Sequence, residues 1–166
     1  MKKILAMAFL ITLPTVMFFC GFSWASSADT FSSESLDKLG RSESEMRHIH
    51  GEPLSTIISD IRNPHWPDVI DKTVEYSYEY LSFLFYRPSQ TPGTTILMRI
   101  DVTDPEMVFS GLRIGSTKKE VQSLLGCGTP WENDLVFEDA DGFESVNIRF
   151  NNKEKITRFI FIPYSD

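Results

Sequence analysis

The sequence predicts an α+β protein: two tandem helix-plus-antiparallel-sheet repeats forming one curved sheet with helices on one side. Three observations carry this prediction. A short helix segment with its own start and stop signals occurs twice, 75 residues apart. A proline and then turn-punctuated apolar runs follow each copy. The later runs alternate apolar and polar side chains with the period of a half-buried strand.

The chain opens with a different element. Met1-Lys2-Lys3 is cationic, Ile4 to Gly21 is apolar apart from Thr12, Pro14 and Thr15, and Ser23-Trp24-Ala25 ends the run with small residues at the positions that a signal peptidase reads. That order defines a secretory signal peptide over residues 1–25, so the mature chain is expected to begin near Ser26 in a periplasmic or secreted setting. Cys20 follows Phe18-Phe19, whereas a lipidation site needs a small residue there, so Cys20 is not read as a lipid anchor. No integral membrane segment is expected after cleavage.

The first helix lies within Leu39-Gly40-Arg41-Ser42-Glu43-Ser44-Glu45-Met46-Arg47-His48-Ile49-His50-Gly51. The second lies within Ile114-Gly115-Ser116-Thr117-Lys118-Lys119-Glu120-Val121-Gln122-Ser123-Leu124-Leu125-Gly126. Ser42 with Glu45, and Thr117 with Glu120, have the spacing of a capping box: the hydroxyl accepts a first-turn amide hydrogen and the glutamate reaches back. Gly51 and Gly126 supply the left-handed residue that ends each helix. About two turns separate cap from glycine, too few for an isolated helix, so each must lie on a β-layer.

In the first half that layer is read from Thr73 to Arg87, a turn at Pro88–Gly93, and Thr95 to Val102; residues 54–72 read as a loop rich in Pro and Asn. Within 73–87 the phase changes: Tyr76, Tyr78 and Tyr80 share one parity and Leu81, Phe83 and Phe85 the other, which requires a bulge or sharp bend near Tyr80. In the second half the strands are Leu135-Val136-Phe137, Glu144 to Phe150 and Ile156 to Ile162, with Val146, Ile148 and Phe150 alternating with Asn147 and Arg149. Unit 1 is placed at residues 26–109 and unit 2 at 110–166. Asp104 to Gly111, short and apolar, is no free tether.

Charge and cysteine content narrow the function. The full chain carries −7; without Lys2 and Lys3, 14 basic side chains face 23 acidic ones, a net −9. Such a chain gains nothing from phosphate neutralisation, so nucleic acid is not expected as a partner, and a basic protein surface is the natural complement. Cys127 alone survives processing, so no internal disulfide can form. Cys127 is expected to be a small buried residue.

The two Leu/Ile-Gly-x-Ser/Thr-x-x-Glu-Met/Val segments, each followed by a glycine and Pro53 or Pro130, resemble the repeat of β-lactamase-inhibitory proteins. They also resemble the small outer-membrane-assembly lipoproteins called SmpA/OmlA. The likeness covers most of residues 36–162. It implies a saddle of tandem units whose sheet face and hairpin loops grip a partner protein. The inhibitors use internal disulfides and the assembly lipoproteins a lipidated cysteine with usually one unit; this chain departs from both, so the likeness implies a fold and names no target.

The expected function is therefore non-catalytic protein binding, with neither cofactor nor metal. Trp66, Tyr76, Tyr78, Tyr80, Trp131 and Phe143 are the candidate partner-binding residues, because Tyr and Trp give large contact area at low entropic cost. The alternative is a small periplasmic hydrolase or metal-dependent enzyme around His48, His50, His65 and Asp68. His48 and His50 point different ways on a helix, and no ligand spacing is met. Asp139, Asp141, Gly142 and Glu144 are a fragment of a calcium-loop pattern, but its end positions fall on Phe137 and Ile148; the segment reads as a turn between strands.

Overall fold

The computed structural model describes residues 25–139 and 142–163. In chain order the elements are α1 (Ala25–Leu39), α2 (Glu43–His50), β1 (Ser55–Arg62), β2 (Ile70–Ser77), β3 (Leu81–Arg87), β4 (Ile96–Val102), α3 (Lys118–Leu125), β5 (Thr129–Trp131), β6 (Asp134–Glu138), β7 (Ser145–Phe150) and β8 (Ile156–Ile162). The strands form one open antiparallel sheet ordered β1-β2-β3-β4-β8-β7-β6-β5. Two four-stranded meanders thus meet where β4 pairs with β8, through Ile100↔Phe161, Asp101↔Ile160 and Val102↔Phe159. The architecture is α+β. The expected signal peptide lies outside the described residues except for Ala25, which opens α1. Among the described residues no helix is long and apolar enough to cross a membrane.

Both short helices begin and end where their local signals place them. Ser42 Oγ accepts from Glu45 N–H at 3.2 Å, and Glu45 Oε2 accepts from Arg41 N–H at 2.8 Å. Thr117 forms the reciprocal box, accepting from Glu120 N–H at 3.3 Å while its own N–H donates to Glu120 Oε2 at 2.6 Å. Gly51 and Gly126 take φ of 77° and 95°, and donate back to Arg47 O and Gln122 O.

One face of the sheet carries the core. Tyr76 pairs with Phe83 and Val74 with Phe85; Ile148 pairs with Phe159 and Val146 with Phe161. These residues form a single buried cluster with Met46 of α2, Val121 and Leu125 of α3, and Phe31, Leu36 and Leu39 of α1. Fully burying each such large apolar side chain contributes about 1.5–3 kcal/mol. At the seam between the meanders Phe31 packs 6.3–6.4 Å from the rings of Phe109, Phe159 and Phe161. Phe109 reaches it from the inter-meander segment, which is pinned by two Phe109–Leu112 backbone hydrogen bonds of 2.8 Å. Ser110 and Gly111 between them have φ of 46° and 91°, the paired positive values of a tight two-residue reversal.

The structure departs from the sequence reading in five places. Residues 55–62, expected in a loop, are strand β1. The segment 73–87 is two strands: the bend near Tyr80 is a complete reversal, closed by Tyr78 N–H donating to Leu81 O at 2.8 Å. The reversal puts Tyr76 on the same face as Phe83 and Phe85. Helix α1 is absent from the sequence reading; Ala28, Phe31, Ser32, Ser35, Leu36 and Leu39 are its buried stripe, at helical spacing. Strand β5 is new as well. Cys127 is exposed rather than buried, because it lies beyond Gly126, where α3 has ended.

Candidate functional site

The face of the sheet opposite the helices is the site the fold offers. Side chains alternate across a sheet, so Tyr76, Phe83, Ile100, Phe159 and Ile148 facing the helices leave Glu75, Ser82, Asp101, Ile160 and Asn147 facing away. Those five are half-buried, and the residues on the helix side are fully buried. A depression of about 500 Å³ occupies the middle of this open face, bounded at one end by Tyr80 and the β2–β3 turn.

The floor of the depression is built from ion pairs. Arg99 Nε lies 2.7 Å from Asp101 Oδ2, and Arg158 Nη1 lies 3.4 Å from Asp101 Oδ1. Arg149 donates to both oxygens of Asp134, at 2.9 and 3.0 Å. That bond, first among the causes, raises the pKa of the Arg149 guanidinium. Arg149 and Arg158 stand directly opposite each other on β7 and β8, a like-charge pairing that is unfavourable unless carboxylates flank it. Three arginines share this face with Asp101, Asp134, Glu75 and Glu79, so the depression offers hydrogen-bond donors and acceptors side by side. Such a surface can dock polar and carboxylate groups of another molecule.

The sequence-derived candidates do not converge here. Tyr76 must be corrected: it is 3% exposed on the helix side, with its hydroxyl donating to Glu43 Oε2 at 2.9 Å, and it offers no surface to a partner. Burial, then the Glu43 bond, raises its hydroxyl pKa. Tyr78 is half-buried beside His50 and donates to Gly51 O at 3.0 Å. Tyr80 is exposed at the rim of the depression. Trp66 and Trp131 are exposed at opposite edges of the sheet, beside β1 and in β5, and Phe143 is exposed in the β6–β7 turn. No single aromatic patch forms from the six.

The alternative set is also dispersed. His50 is half-buried, with Nε2 3.0 Å from Leu39 O and its ring packed on Phe83. His48 is exposed on α2. His65 is exposed in the β1–β2 turn, its ring edge-on to Trp66, and Asp68 is exposed in the same turn. Among the described residues no group of three or more His, Cys, Asp or Glu side chains is arranged to hold a metal ion. Around Asp139 the backbone closes a turn, Gly142 N–H donating to Asp139 O and Phe143 N–H to Asp139 Oδ1.

A second polar cluster lies at the β1–β2 end of the same face. Asp71, fully buried, accepts from Asn63 Nδ2 at 2.7 Å, from Ser89 N–H at 2.7 Å, from Ser89 Oγ at 2.9 Å and from the Tyr86 hydroxyl. The Ser89 N–H, then Tyr86, hold the Asp71 carboxyl down at about 2. Asn63 Oδ1 accepts in turn from the backbone N–H of His65 and of Trp66, at 2.8 and 3.0 Å. The cluster fixes the turn that displays Trp66.

Sequence reasoning missed Arg99, Arg149 and Arg158 as site residues. The signal that could have found them is a charged residue out of phase with the apolar face of its strand.

No family model matches the chain, and no curated protein matches it. Among solved structures the chain is similar to an extracellular protein containing an SCP domain from Bacillus anthracis str. Ames, at 8% identity and a TM-score of 0.39. The alignment covers 76% of this chain and 44% of that one, so this chain spans less than half of that protein's length.

Proposed function

We propose that the chain is an exported, non-catalytic protein-binding module that grips a partner with the open face of its sheet and the adjoining turns. It is a tandem duplication of one helix-plus-sheet unit, residues 26–109 and 110–166, in the manner of β-lactamase-inhibitory proteins or the SmpA/OmlA assembly lipoproteins. The duplication is supported by α2 and α3, eight residues each and 75 apart, with matching hydroxyl caps and closing glycines, each followed by a four-stranded meander.

One observation carries the binding reading. All three described helices pack apolar residues into one buried cluster on one side of the sheet, which leaves the ion-paired floor of the other side and the rim residue Tyr80 open. The tyrosine row expected from the sequence is replaced by this surface. The partner is a protein; the acidic character of the chain, −7 over its full length, steers a basic one toward it, while the floor arginines fix acceptor groups at contact.

Retention of partners from the source's own envelope or culture fluid tests this. The chain should hold a defined protein that an Arg99→Ala, Tyr80→Ala double variant loses while it still folds, because Asp101 keeps Arg158 as a partner and an exposed guanidinium's pair contributes about 1 kcal/mol or less. Retention of the same protein by the double variant refutes the open face as the binding surface.

A further inference from the structure

The two edges of the sheet are treated differently. Strand β5 is three residues long and contains Pro130, which has no N–H to donate, so that edge is blocked against further strands. Strand β1 is eight residues long, exposed at every position, and pairs with β2 through eight consecutive partners without a register shift. Its apolar residues Ile57, Ile58 and Ile61 are 43% to 57% exposed, and Leu54 just before it is 76% exposed. Long, straight, apolar edges of this kind are templates for strand addition.

The direction of its backbone groups follows from one bond. Asn63 N–H donates to Val69 O at 3.0 Å, continuing the β1·β2 ladder. Alternate residues of an antiparallel strand turn their N–H and C=O to opposite sides. Ile57, Ser59 and Ile61 therefore bond to β2, and Thr56, Ile58, Asp60 and Arg62 present their N–H and C=O groups outward.

We propose that β1 joins two copies of this chain, strand to antiparallel strand, about a two-fold axis through Ser59. The four outward residues map onto themselves in only that register: Thr56 opposite Arg62 of the second copy, and Ile58 opposite its Asp60. Every outward N–H and C=O then has a partner, and Ile57 meets Ile61 of the second copy twice on the open side of the sheet. The charges permit it: Asp60 and Arg62 cancel within the strand, and Lys72 Nζ lies 3.0 Å from Asp60, so the meeting edges are close to neutral although each chain is acidic. A second copy is favoured over an unrelated strand because this edge is complementary to itself. The blocked β5 edge prevents head-to-tail growth, so the assembly closes as a dimer. Both helix layers lie on the same side, and the two open faces become continuous.

Light scattering and sedimentation of the purified protein over a concentration series test the proposal, together with three variants in a Cys127→Ser background. The mass should be twice that of one chain. Ile58→Pro removes an outward N–H that β2 does not use, and should give a monomer that still unfolds in one cooperative thermal transition, below that of the dimer by the association it has lost. Under mild oxidation Ser59→Cys should link two copies through position 59, because Ser59 faces itself in a non-hydrogen-bonded pair with about 4.5 Å between Cα atoms. Ile57→Cys should not link to itself, because its opposite is position 61. Monomer at every concentration, a dimer that folded Ile58→Pro leaves intact, or a dimer without linkage at position 59 overturns the proposal. If Ile58→Pro fails to fold, the position-59 linkage decides. A monomeric Ile58→Pro retains the open face, so the two proposals fail separately.

Discussion

Arg149 on β7 faces Arg158 on β8 across the sheet, and Asp134 holds Arg149 there with hydrogen bonds of 2.9 and 3.0 Å. The two members of the pair are unequally placed: the side chain of Asp134 is 5% exposed and that of Arg149 is 44% exposed. Removing the arginine strands a buried carboxylate, whereas removing the aspartate leaves a guanidinium that water can reach. Arg149→Ala is therefore expected to cost about 3 kcal/mol and Asp134→Ala about 1–2 kcal/mol in urea unfolding. Equal costs, or the reverse order, contradict this account of the floor.

Tyr76 is bound to Glu43, which also receives Arg87 through contacts of 2.8 to 3.2 Å, so the three residues tie α2 to β2 and β3. Tyr76→Phe keeps the ring and loses the bond to a charged acceptor, an expected loss of about 1–2 kcal/mol. Partner retention should be unchanged in this variant. Lost binding with unchanged stability would restore Tyr76 to the surface.

Asp71 makes stability depend on acid. Its folded-state carboxyl sits at about 2, below the ordinary 3.8. A depressed folded-state value stabilises above the unfolded one, so this contribution is complete above a pH of about 4 and is lost as the pH falls toward about 2. Glu120, lowered chiefly by the Thr117 N–H, acts in the same direction. Asp71→Asn isolates the first group: its urea midpoint should fall less than the parent's over that window. Parallel curves would show that Asp71 is not the titrating group.

Gly40 and Gly115 occupy matching positions before α2 and α3, and both have φ of 92°. A methyl group on Gly40 would lie 2.8 Å from Met46 N and 3.0 Å from Glu45 C, whereas one on Gly115 meets nothing within 4 Å. Gly115→Ala should cost about 1–2 kcal/mol for the left-handed backbone alone. Gly40→Ala should cost clearly more in the same thermal-melt comparison, because helix backbone must move.

How much of this is legible in the sequence depends on how local the signal is. Helices α2 and α3 are fixed by a hydroxyl, a glutamate three residues on and a glycine, all within one segment. Strands β7 and β8 are legible because one face is buried and one is wet. Strand β1 is not, since all eight of its residues are exposed and no alternation separates its sides. Helix α1 hides its stripe by using Ser32 and Ser35 as buried positions; the Ser35 hydroxyl is satisfied by Phe31 O at 2.6 Å. The face of Tyr76 is misread because parity cannot be carried across an unseen turn, and Glu79-Tyr80 contains neither glycine nor proline. The site is less legible than the fold: Arg99, Arg149 and Arg158 come from three strands and are brought together only by the order β4-β8-β7.

Strand β8 is the last described element in the chain, yet it lies in the interior of the sheet between β4 and β7. Until it arrives, β4 has a bare flank and the ring of Phe31 lacks Phe159 and Phe161. The meander β1–β4 must therefore wait, incomplete and adhesive, for a strand that follows β5, β6 and β7 in the sequence. Closure of this fold is set by delivery of β8, and removing that one strand would cut the sheet in two rather than trim its border.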